Sequence, residues 1–356
     1  MSVDDLDLDI LRWMYPGGVW SPWGTDPRIT VAEIASHVGL NRTAVWARLC
    51  KWRKVGFWDG FETQVNCRIF GAGVLMVSFQ VADSAQGWEL LDRTGAIEGV
   101  MWASLHFGDS LVARNVEYVL VTMVADTRAN HLRRMRALRR LSPTGVVDGP
   151  LAFEPPPCSR TLSRLDWRIL SAMVARPNSS AAQLAADVGV SLKTLDHHRS
   201  LLIDGRVVFS TPRLDWSKMS CLAVNLYCKS SEDGQGAARA LECRLPHSIP
   251  VSLDGFNGPD QEIKSRKVFT FMVPAHSPHE IPTLVRDLSR LPGVTLVLPE
   301  LWGPRRGFPA WATARIAEHL ATTVAVARAG EGAVSGHKVG VPSASVRDER
   351  VEPASS

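Results

Sequence analysis

The residues best suited to chemistry in this chain are cationic and clustered. Between Arg28 and Lys54 lie six lysines and arginines against one acid, a local charge of +5 in a protein whose net charge is only +4. Asn41, Arg42, Thr43, Trp46 and Ala47 come first in the densest part, followed by Arg48, Lys51, Arg53 and Lys54. Such a set suits double-stranded DNA: long cations neutralise phosphates, while short side chains reach base edges. A weaker version stands at Lys193, His197 and Arg199, where residues 176–206 carry a local charge of only +1. A different chemistry is suggested by His106, Gly108 and Asp109. Glycine permits close backbone approach and a carboxylate accepts a ligand ammonium, so these three are candidates for binding a small effector.

Patterns for catalysis and metal binding are missing. The six cysteines form no C-x-x-C pair, and His197 and His198 are adjacent, so on a helix they point apart. No phosphate-loop, zinc-protease or nucleophile-elbow motif occurs. The sequence alone therefore implies no enzyme, no metal and no cofactor. Hydrophobic residues make up 45% of the chain, yet no apolar run approaches the roughly 18 residues of a membrane span. The acidic start, Met1 to Asp9, is unlike a signal peptide, and unpaired thiols fit a reducing cytoplasm. The five arginines between His131 and Arg140 read as the solvated face of a helix anchored by Leu132, Met135 and Leu138.

These residues need elements to position them. Apolar spacing predicts a helix from about Asp5 to Met14, ended by Pro16-Gly17-Gly18. Thr30 with Glu33 three residues later marks the start of a second helix, Gly39 a tight turn, and Asn41 the cap of a third helix over 42–55. Val45, Leu49 and Trp52 form the buried stripe of that third helix, which turns Thr43 and Ala47 outward. Gly56 to Glu62 reads as a wing hairpin turning at Gly60. The opening Leu6-Asp7-Leu8-Asp9-Ile10-Leu11 is echoed by Leu165-Asp166-Trp167-Arg168-Ile169-Leu170, an offset of 159 residues, which suggests an internal duplication. Glu154-Pro155-Pro156-Pro157 marks a stiff joint between the halves.

From Leu6 to about Gly71 the chain resembles the Lrp/AsnC family of transcription regulators. The resemblance rests on residues 6–11, the segment Val31 to Leu40, Thr43 and Arg48, Gly56-Phe57 and Asn66. It implies an α+β fold: two winged helix-turn-helix units, each followed by a βαββαβ ferredoxin-like (RAM-type) domain. The expected boundaries are 1–64 and 65–150 for the first pair and 151–160 for the linker. The second pair is expected at 161–213 and 214–322, ending in a helix, with a disordered tail at 323–356. The implied function is a sequence-specific DNA-binding regulator responsive to an amino acid or a related small metabolite, bound near His106, Gly108 and Asp109. Its βαββαβ domains would pair within the chain, and a homo-oligomer is allowed. A second resemblance is to the siroheme decarboxylases, tandem relatives of the same architecture. On that reading the corresponding strand, Met101 to Phe107, holds His106 but no tyrosine–arginine cluster beside it.

Overall fold

Capping decides where the helices begin. The computed structural model describes residues 3–14, 30–108, 116–142, 148–153, 155–158, 160–230, 240–241, 243–245, 248–252, 256–257 and 268–334. Its first three helices are α1 (Asp5–Met14), α2 (Val31–His37) and α3 (Arg42–Lys54). Thr30 and Glu33 form a complete capping box on α2, and the Asn41 side chain accepts from Ala44 N on α3. Each cap satisfies amides that the helix cannot pair internally. Val45, Leu49 and Trp52 are buried, as their spacing requires.

The next strand departs from expectation. No wing hairpin turns at Gly60. Instead β1 (Trp58–Val65) continues through a register shift between Trp58 and Phe61 and pairs antiparallel with β6 (Val208–Leu214), which follows the helices α6 (Arg164–Ala175), α7 (Ala181–Val188) and α8 (Leu192–Asp204). Gly60 has φ of +89°, and the amide of its neighbour Phe61 donates to Asn178 Oδ1 at 2.8 Å. The residues read as a wing are used to join the two halves.

The remaining strands form one nine-stranded sheet. The first half supplies β2 (Gly73–Gln80), β3 (Val100–Gly108), β4 (Val116–Ala125) and β5 (Asp148–Phe153), with α4 (Ser84–Thr94) and α5 (Arg128–Leu141). The second supplies β7 (Leu222–Ser230), β8 (Ile249–Ser252), β9 (Phe256–Asn257), β10 (Val268–Ala275) and β11 (Val294–Gly307). Its helices are α9 (Glu280–Ser289) and α10 (Ala310–Val334). The strand order is β8-β10-β7-β11-β3-β4-β2-β5-β9, and the halves meet where β11 pairs antiparallel with β3. The protein is thus α+β with antiparallel sheets.

Strand alternation separates two faces. Val77, Phe79, Val119, Val121 and Leu105 pack with Leu90, Leu91 and Leu138 of α4 and α5. The opposite face carries Met76, Leu120, Tyr227, Met272 and Leu298, whose core continues into α1 and α3 through Leu11, Leu49 and Trp52. Full burial of each such large apolar side chain contributes about 1.5–3 kcal/mol.

Three further expectations are corrected. The stiff linker expected at 151–160 begins within a strand, since β5 reaches Phe153, and the segment is docked: the Pro155 and Pro156 carbonyls accept from Arg68 and Asn66. Helix α10 reaches Val334, past the point where a disordered tail was expected. The arginine-rich helix α5 is not uniformly solvated: Arg134 is 1% exposed and makes a forked pair with Asp126 at 2.7 and 3.1 Å.

Candidate functional site

A cavity of about 760 Å³ opens where the β1–β6 ribbon faces the start of β3, the end of β11 and the start of α10. Its lining includes five tryptophans, Trp58, Trp102, Trp216, Trp302 and Trp311. Four arginines share it: Arg53, Arg213, Arg305 and Arg306. The acids Asp59, Glu62 and Asp215 are also present. Arg305 lies over the Trp102 ring at 4.9 Å and pairs with Glu62 at 2.9 Å. Arg53 lies over Trp58 at 4.9 Å. Arg213 pairs with Asp59 at 2.8 Å and Arg306 with Asp92 at 3.3 Å, both partly in solvent.

A register shift in β11 builds one wall. Trp302 faces His106 across the ladder and Arg305 faces Ser104, so three steps on β11 match two on β3. This bulge lets Trp302 and Arg305 share a face, which regular alternation would forbid. Gly303 sits in the bulge, where an added Cβ would lie 2.8 Å from the Leu105 carbonyl oxygen.

Directly behind Trp302 lies a buried polar cluster. Glu300 is 1% exposed, and its Oε2 accepts from Tyr227 OH at 2.8 Å, Asn225 Nδ2 at 3.0 Å and Trp302 Nε1 at 3.2 Å. His106 Nδ1 stands 3.2 Å from Glu300 Oε1. On the other side of the imidazole, Nε2 is 2.5 Å from Ser104 Oγ. Tyr118 stacks on the His106 ring at 5.3 Å. Burial holds the Tyr227 phenol protonated by raising its pKa, so it donates to Glu300.

The residues singled out from the sequence fall in different places. On α3, Asn41, Arg42, Thr43, Trp46, Ala47, Lys51, Arg53 and Lys54 are exposed. Arg48 is not held toward solvent: its Nη1 is 2.9 Å from Asp4 and 2.7 Å from Asp7 of α1. On α8, Lys193 and His197 are exposed and Arg199 is half-buried. The structure brings Arg53 alone of these into the cavity. His106 is buried in the polar cluster, and Gly108 ends β3 with φ of +108°. Asp109 lies outside the described residues. Reasoning from sequence missed Glu300, Trp302, Arg305 and Arg306. They lie on β11 among Pro299 and Pro304, which cannot donate to a ladder and so locally argue against a strand there. Among the described residues no cluster of metal-binding side chains occurs, and no helix is long and apolar enough to cross a membrane.

No family model matches the chain, and no curated protein does. Among solved structures it is similar to the siroheme decarboxylase NirDL, with 15% identity and a TM-score of 0.44 over 90% of this chain and 99% of that one. It is also similar to NirDL in complex with an iron-uroporphyrin III analogue, with 14% identity and a TM-score of 0.44 over 90% and 100% of the two chains. These are structures of an enzyme. The expectation of an Lrp/AsnC transcription regulator that binds DNA is not kept: no family model and no curated protein speaks for it, and the similar solved structures are of an enzyme. Two structural reasons agree with that correction. The central cation of α3, Arg48, is committed to α1, and the segment read as a wing is paired to β6.

Proposed function

We propose that this chain is an enzyme that binds a multiply carboxylated tetrapyrrole in the cavity and removes carboxyl groups from it, in the manner of a siroheme decarboxylase. One observation carries the reading: four arginines and five tryptophans line a single cavity of about 760 Å³. That volume lies in the upper part of the roughly 300–1,000 Å³ range of ligand sites. Indole faces suit a flat π system, and guanidinium forks suit carboxylates. An amino-acid-sized ligand would leave most of this space unfilled.

The two kinds of wall support different parts of the reaction. In each turnover a carbon–carbon bond to a carboxylate breaks, the electron pair stays on the side-chain carbon, carbon dioxide leaves and the carbon takes up one proton. Carboxylates that remain need cations, which Arg53, Arg213, Arg305 and Arg306 supply. The departing carboxylate disperses its charge as it reacts, and apolar indole surroundings favour that over a fully hydrated anion.

The test is anaerobic titration with siroheme, followed by mass analysis of the pigment. Saturable change in the Soret band and stepwise loss of carboxyl groups are expected. Arg305→Ala should weaken binding by roughly tenfold to a hundredfold, the equivalent of one charge-assisted contact of about 1.5–3 kcal/mol. A spectrum unchanged by the protein would overturn the reading.

A further inference from the structure

Three of the cavity arginines are already paired with carboxylates of the chain itself. Arg213 is joined to Asp59 at 2.8 Å, Arg306 to Asp92 at 3.3 Å and Arg305 to Glu62 at 2.9 Å. We propose that Glu62 stands in for a ligand carboxylate: it holds Arg305 until a carboxylated guest takes its place, and so selects which flat ligands the cavity keeps. This rests on the tetrapyrrole reading and adds to it the residue that sets the demand for a carboxylate.

Of these three pairs, one is drawn into the cavity. Asp59 and Asp92 are 80% and 73% exposed, so water and salt already screen them from their arginines. Glu62 and Arg305 are 24% and 23% exposed, and there each charge depends more on the other. Their pair spans the cavity, because Glu62 belongs to the β1–β6 ribbon and Arg305 to the end of β11. The Glu62 carboxylate has a seat: Oε1 also accepts from Gln64 Nε2 at 3.0 Å, and Oε2 lies against Gly307, where an added Cβ would stand 2.6 Å from it. Arg305 in turn lies over the Trp102 ring, so the contested cation sits beside an indole face suited to a flat guest. The remaining acid of the lining, Asp215, is engaged in its own turn, accepting from the Ser217 amide at 3.1 Å and hydroxyl at 2.6 Å.

Glu62 and a ligand carboxylate are the same chemical group competing for one guanidinium fork. While Glu62 holds the fork, the fraction of protein ready to bind is reduced, and the apparent affinity falls in the same proportion. A guest that brings a carboxylate recovers the pairing with Arg305. A flat guest without one gains stacking alone and leaves Glu62 where it is. No covalent bond forms or breaks in this exchange, and Glu62 acts on selectivity through Arg305 rather than on the reacting carbon. A strut between ribbon and sheet would have the opposite sign. Removing a strut loosens the cavity and weakens every ligand, whereas removing a competitor tightens carboxylated ligands only.

The experiment titrates the full-length protein anaerobically with siroheme and, separately, with the methyl ester of siroheme, reading the Soret band. Glu62→Gln should bind siroheme about tenfold more tightly than the wild type and the ester within about twofold of it. Gly307→Ala keeps every charge but crowds the Glu62 carboxylate off its seat, so it should tighten siroheme binding as well. Asp59→Asn should stay within about twofold of the wild type, because its carboxylate is screened. In an Arg305→Ala background the gain from Glu62→Gln should vanish, since the competition has lost its object. Siroheme binding left unchanged or weakened by Glu62→Gln would overturn the stand-in while the tetrapyrrole reading survives, and if that variant does not fold, Gly307→Ala decides by the same criterion. An equal gain from Asp59→Asn, or a gain that persists without Arg305, would reduce the effect to general charge repulsion and overturn it too. A Soret band unmoved by the wild type would overturn the tetrapyrrole reading and the stand-in with it.

Discussion

Asp126 and Asp166 show how single side chains commit the two halves to their folded form. Burial pushes each carboxyl up, but the donors around it outweigh burial and pull both down to about 2 from the usual 3.8. For Asp126 the donors are Arg134, the Thr127 amide and Asn130; for Asp166 they are His198, Ser163 and Arg160. A depressed folded value means the unfolded chain binds more protons, so stability rises with pH across this interval. The contribution is complete above about pH 4 and is lost as pH falls toward about 2. Urea unfolding measured at a series of pH values should show Asp126→Asn and Asp166→Asn each flattening that acid limb; an unchanged limb would refute the assignment. Arg134 offers a harsher test. Its partners include the Val124 and Glu98 carbonyls as well as Asp126. Arg134→Ala strands a buried carboxylate and should destabilise by about 3–5 kcal/mol. A cost below about 1 kcal/mol, the range of exposed ion pairs, would show that the pair is solvated. The sequence displayed Arg134 only as one of five arginines on a helix. Charge runs reveal a cationic face, but not which member turns inward.

At the scale of elements, the legible features were those encoded locally. Thr30 with Glu33, and Asn41 before an apolar stripe, each place a helix start within a few residues, and the structure has those caps. The features hidden in the sequence depend on partners far along the chain. Gly60 reads as a hairpin turn because glycine at positive φ usually serves one. Here its positive φ serves close approach to Asn178, 118 residues away, and a Cβ would collide with that side chain. Gly60→Ala is therefore expected to cost about 1–3 kcal/mol from strain and overpacking together. The reading is a shift in denaturation midpoint with unchanged slope. If Gly60→Ala is neutral, the ribbon contact is looser than the geometry implies. The length of β11 was hidden for a related reason. Pro299 and Pro304 mark a strand end by local rules, yet the strand continues past both because Pro304 falls within the bulge. The cavity arginines Arg305 and Arg306 lie in that unread continuation, so the candidate site itself was not legible.

For the whole molecule, the decisive fact is that the halves share structure rather than merely touching. Strand β11 of the second half pairs with β3 of the first, β1 pairs with β6, and β9 pairs with β5. The cavity and the polar cluster draw residues from both halves, so neither half alone can form them. The apolar core crosses the boundary too, joining Tyr118 and Leu120 to Tyr227, Met272 and Leu298. The covalent joint should then contribute little to holding the folded halves together. A protease site inserted after Cys158 lies beyond the Pro155 and Pro156 carbonyls that dock the segment, so cleavage there spares those bonds. After cutting, the two fragments are expected to co-elute as one species of unchanged size in gel filtration and to melt in one transition, because each would expose unpaired strand edges and apolar face on leaving. Separation requires breaking three strand pairings and a common core at once, so it should occur only under denaturant. Two fragments that part under native conditions, or two resolved melting transitions, would show that the shared sheet is weaker than its register and burial indicate.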